Sequence, residues 1–322
     1  MPDGIKELVN LPAGSSFRLL SWDRNLREVY RLVSTGKSER IYGEGDHWHY
    51  HQALELTYFR QGRGTRFVGD RIQEFGAGEI VLLGENLPHY WHAVGGSSGM
   101  AVQFFFPPSH PIWVFPEATE LVALSSRASR GLQFFGPTAE RLIEDLEMMG
   151  RVDGLDRVGQ LLRLLSRVSQ APSAETSPIS NQTFSLSAET GHQTAMRAAM
   201  RFLLTHYQEE IRLAQLLEVT RMSKPTFSRY FKQHSGHTLE KCLQQIRIKA
   251  ACRELSETEK PVIDIALNSG FSQISFFNRV FQRVMRCTPS HYRDYRRKGV
   301  GTLGVASGQC QMIRSRDRAV CG

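Results

Sequence analysis

Two histidines and one glutamate near the N-terminus have a spacing that could bring them to one metal ion. His49 and His51 are one residue apart, and Glu55 follows after three more. Side chains two residues apart on a β-strand share a face, so both imidazoles can approach the same ion. Imidazole nitrogens and a carboxylate suit Zn²⁺, Fe²⁺, Mn²⁺ or Ni²⁺ about equally well. The alternative is that these side chains hydrogen-bond a polar ligand without metal, and the spacing leaves both open.

The glycines around this motif complete a longer pattern. Five residues separate Gly43 from His49, and six residues separate Glu55 from Gly62. With these spacings the segment resembles the first signature of the cupin superfamily. Cupins are double-sheet β-barrels, so the resemblance implies that the motif lines a barrel.

The segment from Gly78 to His89 resembles the companion cupin signature, less closely than the first. The resemblance implies that His89 is the remaining ligand, and that the four side chains bind a divalent metal or a small polar effector, with a sugar as one candidate. Aromatic residues close to the motif are candidates for stacking on the effector or for core packing. They are Trp48, Tyr50, Tyr90 and Trp91, while the departures from the signature are Gly84, Asn86 and Ala93.

Alternating apolar segments separated by Gly-rich turns predict the strands of this barrel. Two amphipathic helices are predicted after it, and the second has an apolar stripe that can cover the barrel or pair with a second copy of the chain. The predicted strands are Leu54 to Phe59, Thr65 to Val68, Glu79 to Leu83 and Met100 to Phe106. The predicted helices are Ala139 to Met149 and Leu155 to Val168.

The last third of the chain contains one helical pattern twice. Each copy has a small helix, a turn with a serine, and a second helix with the sequence Phe-x-Arg-x-Phe. Two Phe four residues apart share a helix face, and the Arg between them points the other way. This is the pattern of a helix-turn-helix with its aromatic face packed and its cationic face toward a DNA groove. The copies are Leu217, Ser223, Phe227, Arg229 and Phe231, then Ala266, Ser272, Phe277, Arg279 and Phe281.

Charge is concentrated where this repeat lies. Residues 192–297 contain 18 Lys and Arg against 9 Asp and Glu, whereas residues 1–191 contain 18 against 22. Such a basic region is typical of a protein that neutralises DNA phosphates. The residues predicted to contact DNA lie on the outward faces of the two recognition helices, and the Arg of each helix is the candidate for reading a guanine edge. They are Lys224, Ser228, Arg229, Lys232, Ser275, Asn278, Arg279 and Arg283.

The repeat resembles the DNA-binding domain of the AraC/XylS family of transcription regulators, in which one long helix joins two such units. The long helix is predicted over Thr238 to Ser256, and the stretch 265–293 matches the second-unit signature of the family. Two residues depart from the family pattern. Leu217 stands where Ala is usual, and Arg286 stands where Gly usually ends the second recognition helix, which puts the packing of the first unit and the C-terminal cap of the second in question.

These segments predict a multidomain α and β chain, with a cupin-like barrel followed by an all-α double helix-turn-helix domain. The expected parts are a sensor domain (1–137), a helical dimerisation segment (138–168), a flexible Ser- and Pro-rich linker (169–191), the DNA-binding domain (192–297) and a disordered tail (298–322). The five cysteines show no CxxC spacing, which favours reduced thiols. With no signal peptide or apolar membrane segment, a cytoplasmic protein is expected.

The sequence is therefore interpreted as a transcription regulator controlled by a small molecule. Its expected partners are double-stranded DNA, the effector, RNA polymerase and a second copy of the chain. Two alternatives remain at this point. One is a metal-dependent cupin isomerase or oxygenase fused to a DNA-binding domain, and the other is a constitutive architectural DNA binder whose barrel is purely structural.

Overall fold

The computed structural model describes residues 16–41, 48–184 and 192–297. Its first half is built of antiparallel strands. The strands are β1 (Phe17–Trp22), β2 (Val29–Ser34), β3 (Lys37–Ile41), β4 (Leu54–Gln61), β5 (Gly64–Val68), β6 (Arg71–Phe75), β7 (Ile80–Leu83), β8 (His89–Ala93), β9 (Ser98–Phe104), β10 (Leu132–Phe134) and β11 (Thr176–Pro178). They form an eight-stranded sheet in the order β11-β10-β7-β4-β9-β1-β2-β3 and a three-stranded sheet in the order β6-β5-β8.

The two sheets enclose a core, and strand β4 shows how the sequence produces it. Phe59 of β4 packs with Phe75 and Trp91 of the small sheet. Because side chains alternate along a strand, Glu55 and Thr57 share the inward face of Phe59. The predicted order of an antiparallel β domain followed by a helical region is confirmed.

The outer face of the large sheet is covered by three helices. They are α1 (Glu120–Ala128), α2 (Gly136–Met149) and α3 (Gly154–Gln170). The apolar stripe of α3 is divided between two environments. Leu161, Leu165 and Val168 are buried against the sheet, while Leu155 is 88% and Leu162 is 48% exposed. The stripe thus covers the barrel with one part and leaves another part at the surface.

The segment predicted as a flexible linker is largely ordered, and this prediction was wrong for residues 169–184. Strand β11 pairs with β10, and Ser180 and Asn181 donate hydrogen bonds to the carboxylate of Asp70. A Ser- and Pro-rich composition predicts little burial of apolar surface, but strand pairing and side-chain hydrogen bonds fix this segment without a large apolar contribution. Residues 185–191 and the predicted disordered tail lie outside the described residues.

The second half of the chain is helical. Its helices are α4 (Gln193–His206), α5 (Leu213–Thr220), α6 (Lys224–Ser235), α7 (Leu239–Glu257), α8 (Val262–Asn268), α9 (Ile274–Met285) and α10 (Pro289–Arg297). The long helix predicted over Thr238 to Ser256 is α7, and the two ranges differ by one residue at each end. Two compact units result, the first comprising residues up to His206 with Ile211–Cys242, and the second Tyr207–Glu210 with the residues from Leu243 onward.

Each unit contains one helix-turn-helix. In the first unit, Ser223 caps α6 by accepting a hydrogen bond from the N–H of Thr226, and the neighbouring Leu217 is only half-buried. In the second unit, Phe277 and Phe281 of α9 are buried with Ala266 of α8. Leu217 and Ala266 hold corresponding positions, and the larger Leu217 is partly exposed where Ala266 is buried.

Arg286 ends α9 in the left-handed conformation, with φ 62° and ψ 14°, and its N–H donates to the carbonyl of Gln282. The cap forms although the residue is not glycine. A side chain in this region is strained, so we expect Arg286→Gly to stabilise the second unit by about 1 kcal/mol. Urea unfolding of the full-length chain measures this, and an unchanged or lower midpoint would contradict it.

Candidate metal and DNA-binding sites

The four side chains predicted as ligands converge inside the first unit. His49 and His89 face each other through two backbone hydrogen bonds, of 3.1 and 2.9 Å, and Glu55 lies on the inward face of β4. One ligand atom from each of His49, His51, Glu55 and His89 lies within 4.8 Å of the others, and all four residues are buried. The convergence expected from the spacing is therefore present.

The sequence predicted a regular strand through His49 and His51. The structure has no regular strand at this pair. His49 forms a single bridge to β8, and the carbonyl of His51 accepts a hydrogen bond from the N–H of Asn86 instead of continuing the ladder. The backbone is still extended enough for both imidazoles to face the centre. Their ring centroids lie 5.6 Å apart, and that of His89 lies 4.1 Å from His49.

Hydrogen bonds to backbone carbonyls fix which nitrogen of two rings faces the centre. Nδ1 of His51 lies 2.8 Å from the carbonyl oxygen of Ala53, and Nδ1 of His89 lies 2.8 Å from that of Leu87. A nitrogen that faces a carbonyl must donate its proton, so Nε2 of a neutral ring presents a lone pair. Hydrogen bonds of this kind, from the ring nitrogen that faces away from the ion, orient histidines in metal sites.

Two observations show that these lone pairs fit a cation. Nε2 of His89 is buried and finds no hydrogen-bond partner among the described residues. Nε2 of His51 lies 3.2 Å from Oε2 of Glu55 and 3.4 Å from the amide nitrogen of Gln103, and either a proton or a metal ion between the ring and the carboxylate would satisfy both acceptors. Burial lowers the pKa of His89 to about 4, so at neutral pH its ring is uncharged and its lone pair is available to a metal.

Glu55 is held as a carboxylate. Burial by itself raises its pKa, but the hydrogen bond with His51, the electrostatic effect of His89 and His51, and the hydrogen bond from Gln103 together outweigh burial and hold the pKa well below the usual value. Gln103 donates to Oε2 at 2.5 Å, and the hydroxyl of Thr57 donates to Oε1. A charged, oriented carboxylate beside imidazole nitrogens is a donor set for Zn²⁺, Fe²⁺, Mn²⁺ or Ni²⁺. Ligand atoms around such an ion lie roughly 3.4 Å apart, so the four ligands would have to move toward one another by only a small distance.

Sequence reasoning missed the side chains that support Glu55. Arg18 of β1 and Gln103 of β9 are buried in the same row of the sheet, and Nε of Arg18 donates to Oε1 of Gln103 at 2.5 Å. A charged or amide residue at an inward position of an otherwise apolar strand was the signal available. The candidate aromatics are all buried: Trp91 belongs to the core, Trp48 and Tyr90 contact Phe67, and Tyr50 contacts His234.

The two recognition helices present their predicted contact residues to solvent. In α6 and α9 the Phe pairs are buried, and each side chain predicted to contact DNA is exposed. Arg229 lies over the ring of Tyr230, and Arg279 lies over that of Phe276, with 4.8 and 5.4 Å from the guanidinium carbon to the ring centroid. Arg283 donates to Oε1 of Gln244 at 3.0 Å. The exposed residues are Lys224, Ser228, Arg229, Lys232, Ser275, Asn278, Arg279 and Arg283.

Among the described helices, none combines the length and the apolar character needed to cross a membrane.

Comparison with known proteins gives consistent results for the helical half. The family model described as "Helix-turn-helix domain" matches residues 216–295. The regulatory protein SoxS of Salmonella typhimurium is 30% identical over 102 residues, a match that covers 32% of this chain and 95% of SoxS. The HTH-type transcriptional activator RhaS of Pectobacterium carotovorum is 22% identical over 263 residues, which cover 76% of this chain and 86% of RhaS.

Among solved structures, ToxT from Vibrio cholerae O395 aligns over 88% of this chain and 99% of its own length. The identity is 15% and the TM-score is 0.35.

Proposed function

Because the chain belongs to the AraC/XylS family of transcription regulators, we propose that it reads DNA with α6 and α9 and that a small molecule bound in the barrel controls this reading. The observation that supports reading is the pairing of buried Phe faces with exposed basic faces on both helices. The relatives are named as regulators and not as enzymes, so the alternative of a cupin isomerase or oxygenase falls away.

The control proposal rests on the buried centre formed by His49, His51, Glu55 and His89. A lone pair of His89 without a hydrogen-bond partner among the described residues supports a bound divalent ion there. When bound, the ion would supply a Lewis-acidic position for an oxygen of the effector. The surrounding residues orient the ligands and exclude water, and a polar effector such as a sugar is the class of ligand that such a centre suits.

We further propose a homodimer and a contact with RNA polymerase. The exposed part of α3, with Leu155, Val158 and Leu162, supports pairing between two copies of the chain. A dimer carries two DNA-binding domains, each with two helix-turn-helix units. Joining the two domains raises the affinity for a duplicated DNA site without any new contact to DNA.

The reading proposal is tested with Arg229→Ala and Arg279→Ala in the full-length protein. The DNA is a duplex selected by the wild-type protein from a random pool, and an unrelated duplex of equal length serves for comparison. If each Arg donates two hydrogen bonds to a guanine edge, each change weakens binding to the selected duplex by about 1–3 kcal/mol, and binding to the unrelated duplex much less.

Arg201→Ala is the matched control, because Arg201 is exposed on α4 outside both recognition helices. We expect it to leave the preference for the selected duplex unchanged. Equal losses on both duplexes in the Arg229 and Arg279 variants would make these residues phosphate contacts and overturn their assignment to base reading.

A further inference from the structure

The outward face of the three-stranded sheet is apolar yet covered. Val68 and Trp91 point into the core between the sheets, so their strand neighbours Phe67 and Tyr90 point outward. Both are nevertheless buried, as is Tyr50, which lies between the inward-facing His49 and His51. Part of the first unit must therefore pack on this face.

The C-terminal end of recognition helix α6 makes these contacts. The ring of Tyr50 lies 5.7 Å from that of His234, centroid to centroid, and the two residues are 3% and 2% exposed. Two residues after the helix ends, Nε2 of His237 donates to the carbonyl oxygen of Asp70 at 2.7 Å. The β domain is called here the sensor, and the helix-turn-helix of α5 and α6 is called the first reader. Ring packing and a buried hydrogen bond thus join the sensor to the first reader.

Gly236 shows how closely the two parts approach. A Cβ added to Gly236 would lie 2.5 Å from Cβ and 3.2 Å from Cα of Asp70. Asp70 has little freedom to move, because its carboxylate accepts hydrogen bonds from the side chains of Ser180 and Asn181 and from the N–H of Asn181.

The need for glycine at this position comes from the sensor and not from the helix cap. Gly236 has φ 71°, and Arg286 ends the second recognition helix with φ 62°. The second cap tolerates a side chain in the same left-handed conformation. The first cap has no room for one while it lies against Asp70.

We propose that this contact, formed by His234, Gly236 and His237 with Tyr50 and Asp70 and called here the docking contact, holds the protein in a state of low DNA affinity. The inference rests on the proposed function. The docking contact leaves the basic face of α6 exposed but ties the first reader to the sensor. Binding both readers to one duplex requires them to adopt a single common arrangement, so a reader fixed to the sensor binds DNA less favourably.

Tyr50 connects the docking contact to the buried centre. His49 and His51 would have to move inward to hold an ion, and the backbone of Tyr50 between them would then move in the same direction. This movement would withdraw the Tyr50 ring from His234 and weaken docking. An ion in the centre therefore favours the released, high-affinity state.

The test compares Gly236→Asn with the matched control Arg286→Asn in the full-length protein. Asn tolerates the left-handed conformation, so both changes preserve a helix cap, but only the first inserts a side chain against Asp70. The dissociation constant for the selected duplex is measured without and with Zn²⁺, and Zn²⁺ binding is measured separately by calorimetry. The readout is the ratio of the dissociation constants without and with Zn²⁺. The control loses the positive charge of Arg286, which should weaken DNA binding equally in both conditions and so leave the ratio unchanged.

For the wild type we expect Zn²⁺ to tighten DNA binding by roughly 5–150-fold. Gly236→Asn should bind DNA without Zn²⁺ about as tightly as the wild type does with it, so its ratio falls to about one. Arg286→Asn should keep the wild-type ratio. If a folded Gly236→Asn protein keeps the wild-type ratio, or binds DNA more weakly than Arg286→Asn, the docking contact is not inhibitory and the inference is overturned.

Should Gly236→Asn fail to fold, Tyr50→Leu gives a second test. It removes the ring contact with His234 but no ligand, so Zn²⁺ binding should be kept and, because coupling is reciprocal, should become tighter, while the DNA ratio falls to about one; an unchanged ratio overturns the inference. Failure of the proposed function gives a different result. A wild-type protein that binds no Zn²⁺ contradicts the metal centre, whereas tighter DNA binding by Gly236→Asn still supports the docking contact.

Discussion

Replacing His89 with Ala should lower the affinity of the full-length protein for Zn²⁺ by more than about 100-fold. Loss of a partner that only orients a metal ligand typically lowers affinity 10–100-fold, and loss of the ligand itself should lower it at least as much. His89 offers a buried lone pair, and its ring is already neutral at pH 7 because burial lowers its pKa to about 4. Competition with a chromophoric chelator at pH 7 measures the change.

His92→Ala is the control for this variant. His92 lies three residues later on the same strand, only half-buried, and it contacts the hydroxyl of Tyr90. We expect its removal to change Zn²⁺ affinity by less than several-fold. Equal Zn²⁺ affinities in the wild type, His89→Ala and His92→Ala would mean that any bound zinc lies elsewhere. The buried centre would then bind its effector without a metal ion.

Phe277→Ala should destabilise the second compact unit by about 3–5 kcal/mol. The side chain is fully buried, and its ring lies 5.2 Å from that of Phe271 and 5.5 Å from that of Phe281. Removal leaves a cavity that rigid aromatic neighbours fill poorly. Since this core positions α9, the variant should also lose the preference for the selected duplex at temperatures where the wild type retains it.

Urea unfolding of the full-length chain measures this loss, with Phe276→Ala as the matched control. Phe276 is the same residue type one position earlier but is only half-buried. Its replacement should cost less than about 2 kcal/mol because less apolar surface is involved. Equal destabilisation by the two variants would contradict the packed face assigned to α9.

The recognition helices were predictable because their signals are local. The Phe pairs four residues apart and the turn serine Ser223 act within one or two helical turns, and the structure has α6 where this pattern lies. The cap at Arg286 was questioned from the sequence, yet the helix still ends there in the left-handed conformation.

The convergence of the four ligands was predictable only through a spacing pattern. Periodicity alone suggested a strand through His49 and His51, whereas the backbone forms one bridge there. The supporting role of Gln103 depends on strand register between β4 and β9, which no local signal reveals. Long-range pairing likewise fixes β11 in a segment whose composition favoured a linker.

The pairing of β11 with the large sheet also determines how much chain separates the sensor from α4. Since residues up to 184 are held to the sensor, only the seven residues 185–191 lie between the two described parts. Fully extended, such a stretch spans at most about 25 Å. Because one chain carries both parts, the first helix-turn-helix meets the β domain at an effective concentration on the order of millimolar. The docking contact can therefore be populated with an intrinsic affinity too weak to detect between separate molecules, and modest changes at Tyr50 suffice to shift it.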